Sequence, residues 1–177
     1  MSELRELLVE ELQDLLHAET QLTKALPKMA AAAHNPKLRE SIEKHLIQTE
    51  NHVQRLNQVF ELLGEKAQAK PCKAMEGLVA EGQEKLQEGK EKPELSADLA
   101  LITVAQKVEH YEISAYGTLR SLARQIGEFE AAQLLTHTLG EEEAADFLLT
   151  EIAKPLIQQA TSGILEAQTG KKQTVGV

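Results

Sequence analysis

The sequence predicts an all-α protein, a four-helix bundle in which two antiparallel helix hairpins are joined by a long crossover containing a short helix. Three observations carry this. Leu, Ala, Glu, Lys and Gln dominate a chain of 177 residues with no Trp and few aromatics, a composition that favours helix. Apolar residues recur in steps of three and four through four long stretches, the period of a helix with one buried face. Two short turn signals and one long, Gly-, Pro- and Lys-richer connection separate those stretches.

Each element follows in order. Ser2 is a fair N-cap for helix 1, whose stripe Leu8, Leu12, Leu15, Glu19, Leu22, Leu26 keeps to one face. Pro27 should kink it, and His34-Asn35-Pro36 should end it, with Asn35 capping helix 2 and Pro36 at its first position. Helix 2 carries Leu38, Ile42, His45, Thr49, His52, Leu56 and Val59, and stops at Gly64, which tolerates positive φ. Residues 64–97 form the crossover, with a short helix after Pro71. Helix 3 shows Ile102, Ala105, Glu109, Glu112, Tyr116 and Leu119 and ends at Gly127; helix 4 shows Leu135, Leu139, Glu142, Asp146, Leu149 and Ala153 before Pro155 disturbs it. Two tight hairpins and one crossover make the connectivity of ferritin-like bundles. The bundle should occupy residues 1–160, followed by a flexible tail over 161–177.

Composition also excludes function classes. A formal charge of −9 opposes phosphate backbones, so nucleic acid is not expected as a partner. No apolar run approaches the roughly 20 residues needed to cross a bilayer, and no membrane role is expected. The single Cys72 cannot form an internal disulfide, and the acidic N-terminus does not resemble a signal peptide, which together predict a cytoplasmic protein. Cys72 is expected to be a packed, dormant thiol.

The most informative residues are those that interrupt the apolar stripes. Glu19, Glu109, Glu112, Glu142 and Asp146 stand where leucines are expected, joined only by His45 and His52 and by no Lys or Arg. Buried carboxylates lose several kcal/mol of hydration each and need a counter-charge, so a metal ion is the natural candidate. Helix rise tests whether they meet. Glu19 lies about fifteen residues before the first turn and Glu50 to His52 about as far after it, roughly 22 Å along both helices. Glu112 and Glu142 each lie fifteen residues from Gly127. One polar layer halfway along the bundle follows. Carboxylates converging from several helices, with pairs such as Glu109-x-x-Glu112 and Glu142-x-x-x-Asp146 and a His at the end, are what two adjacent cations require. Helix height favours His52 over His45 as the nitrogen ligand. Glu50, Glu141 and Glu143 are expected on solvated faces, Tyr116 against a ligand or in the core, and His17, His34, His110 and His137 off the core.

The segments LQDLLHAETQLTKALPKMA, PCKAMEGL, AQKVEHYEISAYGTL and LGEEEAADFLLTEIA resemble the YciE/YciF-type bacterial stress proteins, a ferritin-like family. The resemblance covers roughly residues 3–153. It implies iron as the cofactor, two ions per chain, in a carboxylate-bridged site resembling that of rubrerythrin, together with a homodimer and reactivity toward peroxide or oxygen. The implied ligands are Glu19, Glu109, Glu112, Glu142, Asp146 and His52. Helix 2 departs from the ferritin-like Glu-x-x-His pattern, reading Thr49-x-x-His52. A coordination position left open beside Thr49 is the expected consequence. The other reading of the residues is a non-enzymatic helical interaction protein with a structural metal site.

Overall fold

A computed structural model describes residues 2–173 of the chain, with side-chain surroundings described through residue 162. The described residues form α1 (Glu3–Ala32), α2 (Pro36–Leu62), α3 (Lys73–Gly89), α4 (Glu94–Gln125) and α5 (Phe129–Gln173), with no strand among them. The long helices α1, α2, α4 and α5 make the bundle, and α3 lies along α1 and α4. The expected architecture is the observed one.

Each turn is built by the residues the sequence singles out. The Ser2 hydroxyl accepts from the Arg5 N–H. The Asn35 side chain accepts from the Lys37 and Leu38 N–H groups at 2.9 and 3.1 Å, satisfying donors that have no partner inside the helix. Gly64 and Gly127 close α2 and α4 with φ of 66° and 85°, a conformation in which a side chain would strain the backbone. Of the prolines, Pro27 and Pro155 both lie inside continuous helix. Each removes one backbone hydrogen bond, and buried neighbours, Leu26 and Met29 for the first and Ile152 and Leu156 for the second, hold the flanking turns against the core. Helix α5 therefore continues past residue 160. Of the expected tail, residues 174–177 lie outside the described residues.

The helix directions follow from two anchors. Asp98, buried at the start of α4, accepts from the backbone N–H groups of His34 and Asn35 at 2.8 Å each, so α4 begins where α1 ends. Arg5, in the first turn of α1, donates to Glu128 at 2.7 Å and to the Leu63 carbonyl, so α5 begins where α2 ends. The contacting pairs α1–α2, α2–α5, α5–α4 and α4–α1 are all antiparallel. Leucines such as Leu8, Leu12, Leu56 and Leu135 fill the Gly64/Gly127 end of the core, and Leu26, Leu38, Ile42 and Ile102 the other. Between these apolar plugs the stripes turn polar.

Candidate metal centre

Midway along the bundle, Glu19 of α1, His45 and His52 of α2, Glu109 and Glu112 of α4 and Glu142 of α5 are all buried and face one another. Their ligand atoms fall into two groups: His45, Glu109, Glu112 and Glu142 in one, Glu19, His52 and Glu142 in the other, the atoms of each group within 4.8 Å of one another. Glu142 belongs to both. The groups stack along the bundle axis because His45 and His52 are seven residues, or two turns, apart on one face of α2.

The histidines are oriented differently. His52 Nε2 lies 3.0 Å from Glu141 Oε2, and the same carboxylate oxygen accepts from Arg55 Nη1 at 2.7 Å, whose guanidinium also donates to the Thr138 hydroxyl at 2.6 Å. With Nε2 donating outward to that anchored carboxylate, the neutral ring presents its Nδ1 lone pair inward. Nδ1 sits 2.9 Å from Glu142 Oε1 and 3.4 Å from Glu19 Oε1, close approaches whose angles do not make hydrogen bonds. His45 presents Nε2 at 3.4 Å from Glu109 Oε1 and 3.7 Å from Glu142 Oε2. Glu19 is steadied by the Tyr116 hydroxyl, which donates to its Oε1.

Burial dominates the electrostatics. It pushes the carboxyls of Glu109 and Glu112 well above the carboxylate range, and the neighbouring carboxylates, Glu142 foremost, add to this. Burial also raises Glu19, against the opposing influence of His52. For Glu142, burial is outweighed by His52 and His45, and its pKa falls below the ordinary value. Burial alone would lower His52, but its contacts with Glu142 and Glu19 prevail and push it up to about 10. Desolvated like charges held together in this way mark functional sites.

The fit to a metal can be tested on unpartnered atoms. Among the described residues, the buried side-chain N and O atoms without a hydrogen-bond partner are nine, and all nine belong to Glu19, His45, His52, Glu109, Glu112 and Glu142. Each such atom costs roughly 1–3 kcal/mol, so together they rival the ~5–15 kcal/mol net stability of a whole domain. No Lys or Arg lies within 4.0 Å of these carboxylates among the described residues. Cations coordinated by these atoms would satisfy them, and the donor set fits.

Measured against the sequence reading, the structure brings Glu19, His52, Glu109, Glu112 and Glu142 together and places Asp146 at the rim. Asp146 is 23% exposed, its carboxylate accepts from Gln106 Nε2 at 3.0 Å, and His110 Nε2 is 3.4 Å away. Four residues overshoot a full turn by about 40°, which turns Asp146 toward α4. His45, set aside on helix height, stands in the cluster, because the site is two turns tall rather than one layer. Its signal was the seven-residue repeat with His52. Glu141, expected on a solvated face, holds His52. Thr49, beside which an open coordination position is expected, is fully buried, and its hydroxyl donates to the His45 carbonyl at 3.0 Å. The small cavity beside the cluster, about 20 Å³, lies one turn away, where Ser41, Ala105 and Ala145 border His45 and Glu109. Of the remaining histidines, His17 is half-buried and its Nδ1 accepts from the Cys72 N–H at 3.0 Å, whereas His34, His110 and His137 are exposed.

The likeness to known proteins agrees with this architecture. The chain is 46% identical over 154 residues to Protein YciF of Escherichia coli strain K12, a span covering 86% of this chain and 92% of that protein. The crystal structure of the E. coli stress protein YciF superposes with a TM-score of 0.85 at 42% identity, covering 89% of this chain and 99% of that one. YcfI of Rhodopseudomonas palustris, for which a structural role has been suggested, gives 0.80 at 39% identity over 85% and 94%. A protein of Xanthomonas campestris, 23% identical with a TM-score of 0.70 over 94% and 99%, shares the fold. Residues 3–162 match the family described as Domain of unknown function (DUF892). With its helices, its crossover and nearly its whole described length accounted for by that match, this chain belongs to the DUF892 family.

Proposed function

We propose that the chain is a di-iron carboxylate protein of the stress response that reacts with peroxide or oxygen at the buried Glu/His cluster. The observation that carries this reading is the confinement, among the described residues, of every unpartnered buried side-chain N or O atom to six residues with metal-ligand chemistry. His45, Glu109 and Glu112 would hold one ion, Glu19 and His52 the other, with Glu142 shared. Oxygen-rich donors with one imidazole per position suit iron or manganese in a bundle of this type, and the likeness to a stress protein supports the stress-response part of the reading. When bound, such a pair supplies the electron transfer that carboxylates and imidazoles cannot.

The chain's own residues do the rest. Glu141 and Tyr116 fix the orientations of His52 and Glu19 before any ligand arrives, so that little reorganisation accompanies binding. The leucine layers above and below exclude water. The cavity beside His45 has room for about one water-sized molecule, which suits a small oxidant and excludes larger substrates.

Metal analysis of protein purified without chelator, followed by stopped-flow oxidation of the anaerobically iron-loaded protein, tests this. Two ions per chain and oxidation faster than free ferrous iron in the same buffer are expected. A second reading, a structural metal staple in a non-enzymatic homodimer, is favoured by the complete burial of Glu19, His52, Glu112 and Glu142. Bound metal with no acceleration would select it.

A further inference from the structure

A second site lies apart from the metal cluster, where the end of α1, the end of α3 and the start of α4 meet. Small side chains converge there: Gly89 faces Ala97, whose Cβ would lie 3.4 Å from an added Cβ, and Ala31 and Ala32 complete the surround. Larger residues would close the junction. Instead it opens into a cleft of about 460 Å³ with Leu86 and Leu101 among its walls, within the ~300–1,000 Å³ range of small-molecule sites.

Its rim is basic in a chain of net charge −9. Lys28, His34, Lys85 and Lys90 line it. Among the described residues Glu88 is the only carboxylate within 4.0 Å of the three lysines, and it is divided between Lys85 at 3.0 Å and Lys92 at 2.8 Å, with Glu81 and Glu84 acting on Lys85 from farther off. Lys90 Nζ is bonded to the neutral Gln87 side chain at 2.9 Å, and Lys28 has no carboxylate within 4.0 Å among the described residues. Beyond Leu86 and Lys28 the cleft adjoins a narrow seam of about 20 Å³ between α3 and the bundle, walled by Leu22, Leu78, Val79 and Val104. A basic mouth over an apolar floor that leads into an apolar seam matches a single-chain anionic amphiphile.

We propose that this cleft binds a free medium-chain carboxylate, its head held by Lys28, Lys85 and Lys90 and its alkyl chain lying over Ala32, Leu86 and Leu101 toward the α3 seam. The charge complementarity supplies orientation, and the removal of the chain from water supplies most of the affinity.

Calorimetric titration of the intact protein with decanoate, below its micelle concentration, tests the proposal. Saturable one-to-one binding is expected, with decanol, acetate and inorganic phosphate each binding at least about tenfold more weakly. Lys28→Glu with Lys85→Glu should weaken decanoate about tenfold or more, and Ala32→Phe, at an exposed position where folding is not at risk, should block the floor. Thermal melts of the variants confirm the fold. No decanoate binding, binding matched by decanol or by acetate, or binding indifferent to both variants would each overturn the proposal. Adsorption to anionic phosphatidylglycerol vesicles without binding of free decanoate would overturn it in favour of a membrane surface.

Discussion

Glu142 is the residue on which both halves of the candidate metal site depend, since among the described residues it alone belongs to both groups of converging side chains. Glu142→Ala is expected to abolish binding at both positions, whereas His45→Ala should reduce stoichiometry toward one ion per chain; metal analysis after dialysis distinguishes them. Glu141 acts through His52. Removing its carboxylate frees the ring to rotate and to change tautomer, so Glu141→Ala should weaken metal binding about 10–100-fold, read as a shifted competition curve against a chelating dye. The titrating groups also give the metal-stripped protein a direction in pH. Glu109 and Glu112 have raised pKa values, for burial first and then for the surrounding carboxylates, so the folded state favours their protonated forms and loses stability as pH climbs above ~4.3 through the raised values. His52, raised to about 10, contributes stability that is complete below ~6.5 and is lost as pH rises toward that value. Glu142 acts oppositely, but its lowered pKa makes its contribution complete by neutrality. Denaturant midpoints of chelated protein are therefore expected to fall between about pH 6 and about pH 8.5; a rise over that interval would contradict this account.

At the scale of elements, the hairpins are held by a few caps and by two cross-braces, Asp98 and Arg5. Asp98 ties the start of α4 to the α1–α2 turn through two backbone donors, and it is itself buried. Asp98→Ala leaves both donors without an acceptor and is expected to cost roughly 2–4 kcal/mol, measured by urea denaturation; a loss below about 0.5 kcal/mol, the usual size of a surface effect, would show that water replaces the carboxylate. The crossover is anchored differently. Cys72 caps α3 by accepting the Met75 N–H at 3.3 Å, touches the Tyr111 hydroxyl at 3.1 Å, and its own N–H is held by His17. Tyr111 in turn donates to Asp14 at 2.7 Å. Burial above all pushes the thiol pKa up, which keeps it protonated and poorly nucleophilic at neutral pH. Native protein should therefore react with an aromatic disulfide reagent only at the rate of local opening, and labelling as fast as that of urea-unfolded chain would show that the crossover is not packed as described.

For the whole molecule, the polar layer divides a leucine core into two plugs and makes folding depend on what fills the gap. Four carboxyl groups confined with only histidines for counter-charge must take up protons or repel one another, at a cost in solvation either way, whereas a ligand that binds only the native state stabilises it by mass action. At free metal a hundredfold above Kd each site adds ~2.7 kcal/mol, which for a domain of this size raises Tm by about 5–10 °C. Melting with metal and with excess chelator, metal release being verified separately, checks this. Identical melting temperatures would mean that the cluster is satisfied by water or protons alone.

Helix positions, turns and connectivity were legible in the sequence because each rests on local chemistry: the period of the leucines, Asn35-Pro36 at one turn, Gly64 and Gly127 at the ends of α2 and α4. So was the existence of a polar layer, since buried acidic residues interrupt that period, and equal distances from a turn place residues of antiparallel helices at equal height. The membership of the layer was decided by the tertiary structure. Rotation about the α5 axis turns Asp146 aside to Gln106, a difference of tens of degrees that stripe counting does not resolve, and the two-turn height of the site takes in His45. Partner choice was decided there too: Glu141 and Arg55 sit 86 residues apart in the chain, and only the packing of α2 against α5 makes one the orienting group of His52. Sequence periodicity specifies which face of a helix is buried; which side chains on that face meet depends on the angles and distances at which the helices pack.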